Sequence, residues 1–531
     1  MKKLIALLLA LVMVLALAAC GSGGNTGAQT GTQTGTQTGT QPSSAGSNEV
    51  GTHASSRDTL NVGIIADPMN LDPNDNNSQH IQRVKTQVYE TLVARDIDGN
   101  ITGGLAESWD WEDDTHILFH IRQGVKFHSG DELTAEDVAF SIARAHDMGA
   151  ASIALTHVDL ENSEVVDKYT YRMALTDTYT PQIAWLEWPL TAISCKKTFE
   201  ETGGDYMANP NGTGPYKVKN FVSGDRVEFE AFPDYWGGEP AIKYLNMIVI
   251  PEPTNRAIML ETGELDVAFE LSVIDVDRIA NGATTRIEKS PAHNTNYIGF
   301  TCLYAPFDNP TVRQAVAYAI DVPACYEAAY GGMHTLATSM VDPEVDGYSK
   351  MDLITYDPDK AVELLKQAGY PDGFECDLTT NSDPERIAFC EAIQEYLKKV
   401  GIKTNIVTLE MGAYSTLIDS NTLQGIFILG ATCTTVEAEK ILRNFDSRMS
   451  GGMNTAGYRN TEYDAILDKA VATIDQTERW ALYKQCFDIL AEEVPWLPTY
   501  DKQQLTGVSR ELQNYHNGSF ECARFKYCYF E

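Results

Sequence analysis

Apolar and polar positions alternate along parts of this chain and recur at helical spacing along others. Residues 59–65, Thr-Leu-Asn-Val-Gly-Ile-Ile, read as a strand that breaks at Asp67-Pro68. From His116 to Arg122 the alternation is regular. Ile117, Phe119 and Ile121 take one face, and His116, Leu118, His120 and Arg122 take the other. The Gln123-Gly124 turn then predicts a hairpin whose second strand is Val125 to His128. Thr134-Ala135-Glu136-Asp137 is an acidic variant of the capping box, followed by Val138, Ile142 and Ala143 on one helix face. Asn309 caps a helix with Pro310 at its first position, and Val312, Ala315, Val316, Ala319 and Ile320 form its stripe. Asp357-Pro358 opens another helix, with Ala361, Leu364, Leu365 and Ala368 inward and Gly369 as the stop. Asp383-Pro384 opens a third, closed near Gly401. Strands and helices mixed in this way predict an α/β body.

The N-terminus has a different pattern. Lys2 and Lys3 precede an unbroken apolar run, Leu4 to Ala19, that ends in small residues. This is the pattern of a secretory signal, here 1–19. The run is short for a membrane-spanning helix, which needs about 20 residues. Leu17-Ala18-Ala19-Cys20 resembles the bacterial lipobox, in which the Cys is lipidated and becomes the first residue of the mature chain. That likeness implies lipidation at Cys20 and a location outside the cytoplasmic membrane. Gly21 to Ser56 is Gly, Ser, Thr, Gln and Asn with little apolar content, and Thr-Gly-Thr-Gln recurs within it. Such a segment cannot bury enough surface to offset the entropy of ordering. Residues 20–57 are therefore expected to be a lipidated Cys followed by a disordered tether.

Charge narrows the partners. The formal net charge is −34, and loss of Lys2 and Lys3 with the signal makes it more negative. This argues against nucleic acid and anionic lipid as binding partners. Besides Cys20 there are cysteines at 195, 302, 325, 376, 390, 433, 486, 522 and 528. None forms C-x-x-C, so a zinc ribbon is unsupported, although Cys522 and Cys528 are close enough to consider as a pair. His116 and His120 on a strand lie about 13 Å apart, too far to share one metal ion. No metal site and no cofactor is expected. The sequence has no His-Glu-x-x-His, no Gly-x-Ser-x-Gly and no phosphate-cradling loop. Nothing marks the chain as an enzyme.

A series of short motifs carries a resemblance. Asn70-Leu71-Asp72-Pro73, Tyr89-Glu90-Thr91-Leu92-Val93 and Gly104-Leu105-Ala106-Glu107-Ser108-Trp109 come first. Phe119-His120-Ile121-Arg122, Val125-Lys126-Phe127-His128-Ser129-Gly130 and Leu133 to Ser141 follow. Then come Gly212-Thr213-Gly214-Pro215-Tyr216, Asp234-Tyr235-Trp236, Gly263-Glu264-Leu265-Asp266-Val267, Ala305-Pro306-Phe307-Asp308 and Tyr356-Asp357-Pro358. In this order they resemble the family 5 extracellular solute-binding proteins of ABC importers, which bind dipeptides, oligopeptides or nickel. The resemblance implies a two-lobed periplasmic-binding-protein-like fold (type II) with an extra inserted domain. By that likeness lobe I is 58–94 with 196–289 and 499–531, the inserted domain is 95–195, and lobe II is 290–498. The implied function is capture of a peptide or peptide-like solute in the interlobe cleft and delivery to ABC permease subunits, with the lipid on Cys20 holding the protein at the membrane. Trp109, Phe127 and Tyr216 are expected in the core.

By family position the ligand-binding candidates are Asn76, Asn77 and Ser78 on lobe I, and Tyr297, Thr432, Thr434, Thr435, Glu437 and Tyr500 on lobe II. Peptide-binding members tend to carry Gly-Trp followed shortly by an Asp that pairs with the peptide's amino group. Here the stretch is Gly430-Ala431-Thr432-Cys433-Thr434-Thr435-Val436-Glu437. Ala431 replaces the Trp, and no acid stands near Thr434. An enclosed ammonium without a charge partner is strongly disfavoured. Either Glu437 or another acid takes that role, or the ligand has no free amine there. A sugar- or metal-chelate binder of the same fold is the alternative, and a surface-anchored hydrolase is a more distant one.

Overall fold

The computed structural model describes residues 50–51, 53–75, 78–518, 520 and 522–531. Cys20, the signal and most of the tether lie outside the described residues, as do Asn76 and Asn77. No helix among the described residues is long and apolar enough to cross a membrane.

Two long antiparallel strands, Thr285–Phe300 and Trp496–Ser509, run through the centre of an eleven-stranded sheet. On one side Thr285–Phe300 pairs with Ile426–Thr432, followed by Glu375–Asn381 and Lys403–Leu409, the last three mutually parallel. On the other side Trp496–Ser509 pairs with Val267–Ala268, followed by Thr59–Ile64 and Tyr244–Val249, again parallel. Arg226–Ala231 and Tyr216–Val222 complete that edge. The long strands keep register from Thr285 opposite Ser509 to Pro291 opposite Gln503, lose it, and resume at Thr295 opposite Asp501. His293, in the break, has a positive φ of 46°. Among the described residues only these two strands carry the sheet from one side to the other, and they do so at this irregularity. The sheet therefore forms two lobes with separate apolar cores.

The cores follow the sequence patterns. Helix Pro310–Ala319 has the Asn309 side chain accepting from the Thr311 N–H, and it buries Val312, Ala315, Val316 and Ala319. Helix Pro358–Gln367 buries Ala361, Leu364 and Leu365, and Gly369 follows with φ +93°. Helix Pro384–Lys399 is capped by Asp383. These pack on one face of the lobe II strands. On the opposite face Tyr297 stacks on Trp496, with ring centroids 3.6 Å apart, and Phe427 meets Tyr297 edge-on. Gly299 is required beside them, since a Cβ there would lie 2.2 Å from the Phe427 ring.

A third core gathers residues from Leu92 to Cys195 on a four-stranded antiparallel sheet, in the order Ala106–Trp111, His116–Ile121, Thr170–Leu175, Val158–Asp167. Ile117, Phe119 and Ile121 are buried, as their alternation predicts. The hairpin does not form. His116–Ile121 pairs instead with Ala106–Trp111 and Thr170–Leu175. Val125 and Phe127 are buried, but their segment folds back on itself through Phe127 N–H to Asp131 O and Leu133 N–H to Val125 O. Burial of both side chains within the turn outweighs local strand pairing. Helix Ala135–Asp147 starts at Thr134, whose N–H and hydroxyl both donate to Asp137 Oδ2. Ala145 rather than Ala143 completes its inward stripe. Phe127 and Tyr216 are buried, and Trp109 packs partly against the core. Cys522 and Cys528 are not bridged to each other, and their sulfurs lie near different carbonyls, Phe520 O and Asn514 O.

Candidate ligand cleft

The carboxyl ends of both sets of parallel strands point at the irregularity in the long strands. Ile426–Thr432 ends opposite Asn294. Val267–Ala268 runs antiparallel to Trp496–Ser509, so its carboxyl end also heads toward Asp501. In open α/β sheets ligands bind outside the carboxyl ends of strands. Here two such edges converge at one level, which defines the cleft.

On lobe I the loop after Thr59–Ile64 is pinned from outside. Arg144 grips Asp72 through two bonds, at 2.8 and 2.6 Å, and donates to Asn74 Oδ1 at 2.7 Å. Asn74 is fully buried and donates to Leu190 O. The loop leads into helix Gln79–Lys85, where Ser78 is half-buried at the N-cap and its carbonyl accepts from Ile81 and Gln82. On the same helix Arg83 pairs with Glu270 at 2.6 Å. Lys85 is buried and donates to Asp75 O; burial lowers its ammonium to about 8.

On lobe II the sequence-derived candidates separate. Thr432 is exposed at the strand end and accepts from Asn294 Nδ2 at 2.7 Å. Thr434 is partly exposed beside it. Thr435 is fully buried, within 3.4 Å of the Glu437 backbone. The Glu437 carboxylate is buried and engaged inside the lobe, accepting from Tyr483 OH at 2.7 Å and facing Arg479 at 3.4 Å. Burial pushes its pKa up. Tyr297 belongs to the aromatic stack with Trp496, and Tyr500 to a ring cluster with Tyr326, Tyr330 and His334. The structure thus brings Thr432 and Thr434 to the cleft edge and places Tyr297, Thr435 and Glu437 in the body of lobe II. His116 and His120 carry partners of their own, Asp113 and Asp110. Among the described residues no three His, Cys, Asp or Glu side chains are grouped to hold a metal ion.

Sequence reading missed Arg386. It stands in the first turn of helix Pro384–Lys399, just past the carboxyl end of Glu375–Asn381. Its guanidinium donates to Asn296 Oδ1 at 3.1 Å and Asn381 Oδ1 at 3.4 Å, and among the described residues it has no carboxylate partner. The helix dipole disfavours a cation in this position. A basic residue three places after a capping Asp is the signal that marks it. Arg95 was missed as well. It joins Glu187 at 2.7 Å, Asp346 at 2.8 Å and the carbonyls of Thr435 and Val436. It thereby ties the Leu92–Cys195 core to the 430–437 segment. Burial opposes its charge, but the two carboxylates outweigh that and keep it firmly protonated.

Two lobes joined by two long strands, with strand ends from both converging at one level, define a two-lobed protein with a cleft between its halves. Comparison with known proteins gives the family. Residues 100–449 match the model of the bacterial extracellular solute-binding proteins, family 5 Middle, and the chain belongs to this family. It is 31% identical over 467 residues to the glutathione-binding protein GsiB of Salmonella typhi, covering 86% of this chain and 91% of that one. It is similar in fold to HbpA2 from Haemophilus parasuis (TM-score 0.83, 26% identity, 89% of this chain and 100% of that one). It also resembles the periplasmic binding protein DppA from Helicobacter pylori in complex with the peptide STSA (TM-score 0.71, 25% identity, 91% and 99%). The chain is thus an extracellular solute-binding protein with the two-lobed fold.

Proposed function

We propose that this protein captures a peptide or peptide-like solute between its lobes and hands it to ABC permease subunits, held at the membrane by lipid on Cys20. The observation that carries the peptide reading is Arg386. A guanidinium fixed by two amide oxygens at the cleft edge, with its charge unneutralised by any carboxylate among the described residues, suits a ligand carboxylate. GsiB binds glutathione and the DppA structure holds a peptide, which supports the same class here. We read the chain as a binder that makes and breaks no bond. We place the inserted domain at 95–195, a division supported by the separate Leu92–Cys195 core. Lobe I is then 58–94, 196–289 and 499–531, and lobe II is 290–498.

Native mass spectrometry of the protein as purified tests the ligand class. A co-purified mass that fragments as a peptide is expected; a sugar or metal chelate overturns the reading. For the anchor, Cys20→Ser is expected to leave ligand affinity unchanged and to release the protein from the membrane fraction. A variant that stays in that fraction contradicts the lipid assignment.

A further inference from the structure

Ala431, Thr295, Asp501 and Thr335 stand in one row across four neighbouring strands. The row lies where the long strands resume register after the break at Pro291–Thr295, at the level on which both sets of carboxyl ends converge. Its two ends are open: Thr335 is exposed and Ala431 partly so. Asp501, in the middle, is 2% exposed. Its Oδ1 accepts from the Thr295 hydroxyl at 2.5 Å. Its Oδ2 is buried and has no hydrogen-bond partner among the described residues. Leaving a carboxylate oxygen buried without a donor is costly.

The surrounding charges do not relieve it. His293 Nδ1 lies 3.0 Å from Asp342 Oδ2, so the nearest cation serves another acid, itself 2% exposed. Glu344 and Asp346 stand on the same loop as Asp342, and Arg95 is committed to Glu187 and Asp346. Cys433 contributes only a thiol, which burial pushes up. Burial, reinforced by the like charge of Asp342 and partly offset by the Thr295 bond and by His293, raises the Asp501 carboxyl to about 7. Among the described residues no group serves Asp501 Oδ2, so a cation from outside the chain could take that place. Ala431, two places along the row, leaves only a methyl group where a large ring would cover the carboxylate.

We propose that Asp501, backed by Asp342, is the subsite for a primary ammonium group of the captured solute. It supplies an acid that the 430–437 segment does not offer, because Glu437 is already engaged by Tyr483 and Arg479. With Arg386 toward the other side of lobe II, the two sites fit the opposite charges of a zwitterionic peptide. This inference rests on the peptide reading above.

The test is calorimetric titration of the full chain with alanyl peptides of two to four residues and with glutathione, each also N-acetylated. Wild type is expected to lose at least tenfold in affinity on acetylation. Asp501→Asn is expected to bind the free-amine peptides at least tenfold more weakly and the acetylated ones as before. Ala431→Trp, which leaves Asp501 in place, is expected to weaken free-amine binding by covering the row. A readout on wild type alone keeps the proposal falsifiable if the variants misfold. At pH 6.5, titration in buffers of different ionisation heat is expected to show proton release on free-amine binding, because the ammonium ionises Asp501. Equal affinity for free and acetylated peptides, or no proton release, overturns the subsite and leaves the peptide reading standing. Failure of every peptide to bind overturns both.

Discussion

Arg95 donates to Asp346 across 2.8 Å, with the arginine side chain almost wholly out of water. Residue 95 sits on a strand beside the Leu92–Cys195 core, whereas Asp346 bridges to Glu437 on the far side of the cleft. The pair therefore joins the Leu92–Cys195 core to lobe II, and its energy favours holding the two together.

Arg95→Gln is expected to strand Asp346 and Glu187. Removing one partner of a buried pair costs about 3–5 kcal/mol when the other charge stays buried. Opening the cleft returns Asp346 to water, so the loss appears in binding rather than in folding. Affinity is expected to fall by about tenfold or more, and small-angle scattering is expected to show a larger radius for the variant at partial ligand saturation. An unchanged affinity rules out Arg95 as a closing contact.

The aromatic stack predicts the opposite split. Trp496 and Tyr297 face each other at 3.6 Å with an interplanar angle of 9°. Trp496→Ala leaves a cavity in lobe II and is expected to cost about 3–5 kcal/mol of folding stability. Tyr297→Phe keeps the ring and is expected to leave ligand affinity within about twofold. A large loss of affinity in Tyr297→Phe, with stability intact, returns Tyr297 to the ligand site.

Asp501 and His293 give a pH dependence of the same sign. Asp501 is raised to about 7 in the folded chain, chiefly by burial, so the native state holds a proton that the unfolded chain releases near pH 4. Stability is then full at low pH and is lost as pH rises from about 4 through about 7. His293 is also raised: burial alone lowers it, but Asp342 outweighs burial. Its contribution is present below about 6.5 and is lost as pH climbs above that value. The ligand-free protein is expected to lose more Tm between pH 5 and 8 than Asp501→Asn does. Parallel curves for the two contradict the Asp501 assignment.

Arg386→Gln removes the charge but keeps a polar side chain. Ligands with a free carboxylate are expected to bind at least tenfold more weakly, and their amidated forms to be unaffected. A charge-assisted bond contributes roughly 1.5–3 kcal/mol, which sets this scale. Equal losses for both ligand forms place Arg386 in structural support.

The elements that the sequence made legible are those set by local chemistry. Capping Asn309, Asp357 and Asp383 and the stripes behind them fix their helices without help from distant residues. Val125 to His128 reads as a strand because alternation cannot distinguish pairing from a turn that buries both apolar side chains. In the site, position within a family is a weaker guide than charge balance. Glu437 looks available from its spacing, yet Tyr483 and Arg479, distant in the chain, already engage it. Asp501 looks like an ordinary strand acid until the register places it beside Thr295, with one oxygen unserved. Arg386 carried a sequence signal, a cation in the first turn of a helix, and that signal points to function because the dipole opposes it.

The most direct measurement is a thermal shift of the purified protein against di-, tri- and tetrapeptides and glutathione at saturating concentration. A ligand held at about 100 times its Kd stabilises the folded state by about 2.7 kcal/mol. At this chain length that corresponds to a rise of a few degrees in Tm. A saturable rise with at least one free-ended peptide, abolished when both its ends are blocked, is the expected result. No shift with any of them contradicts the account.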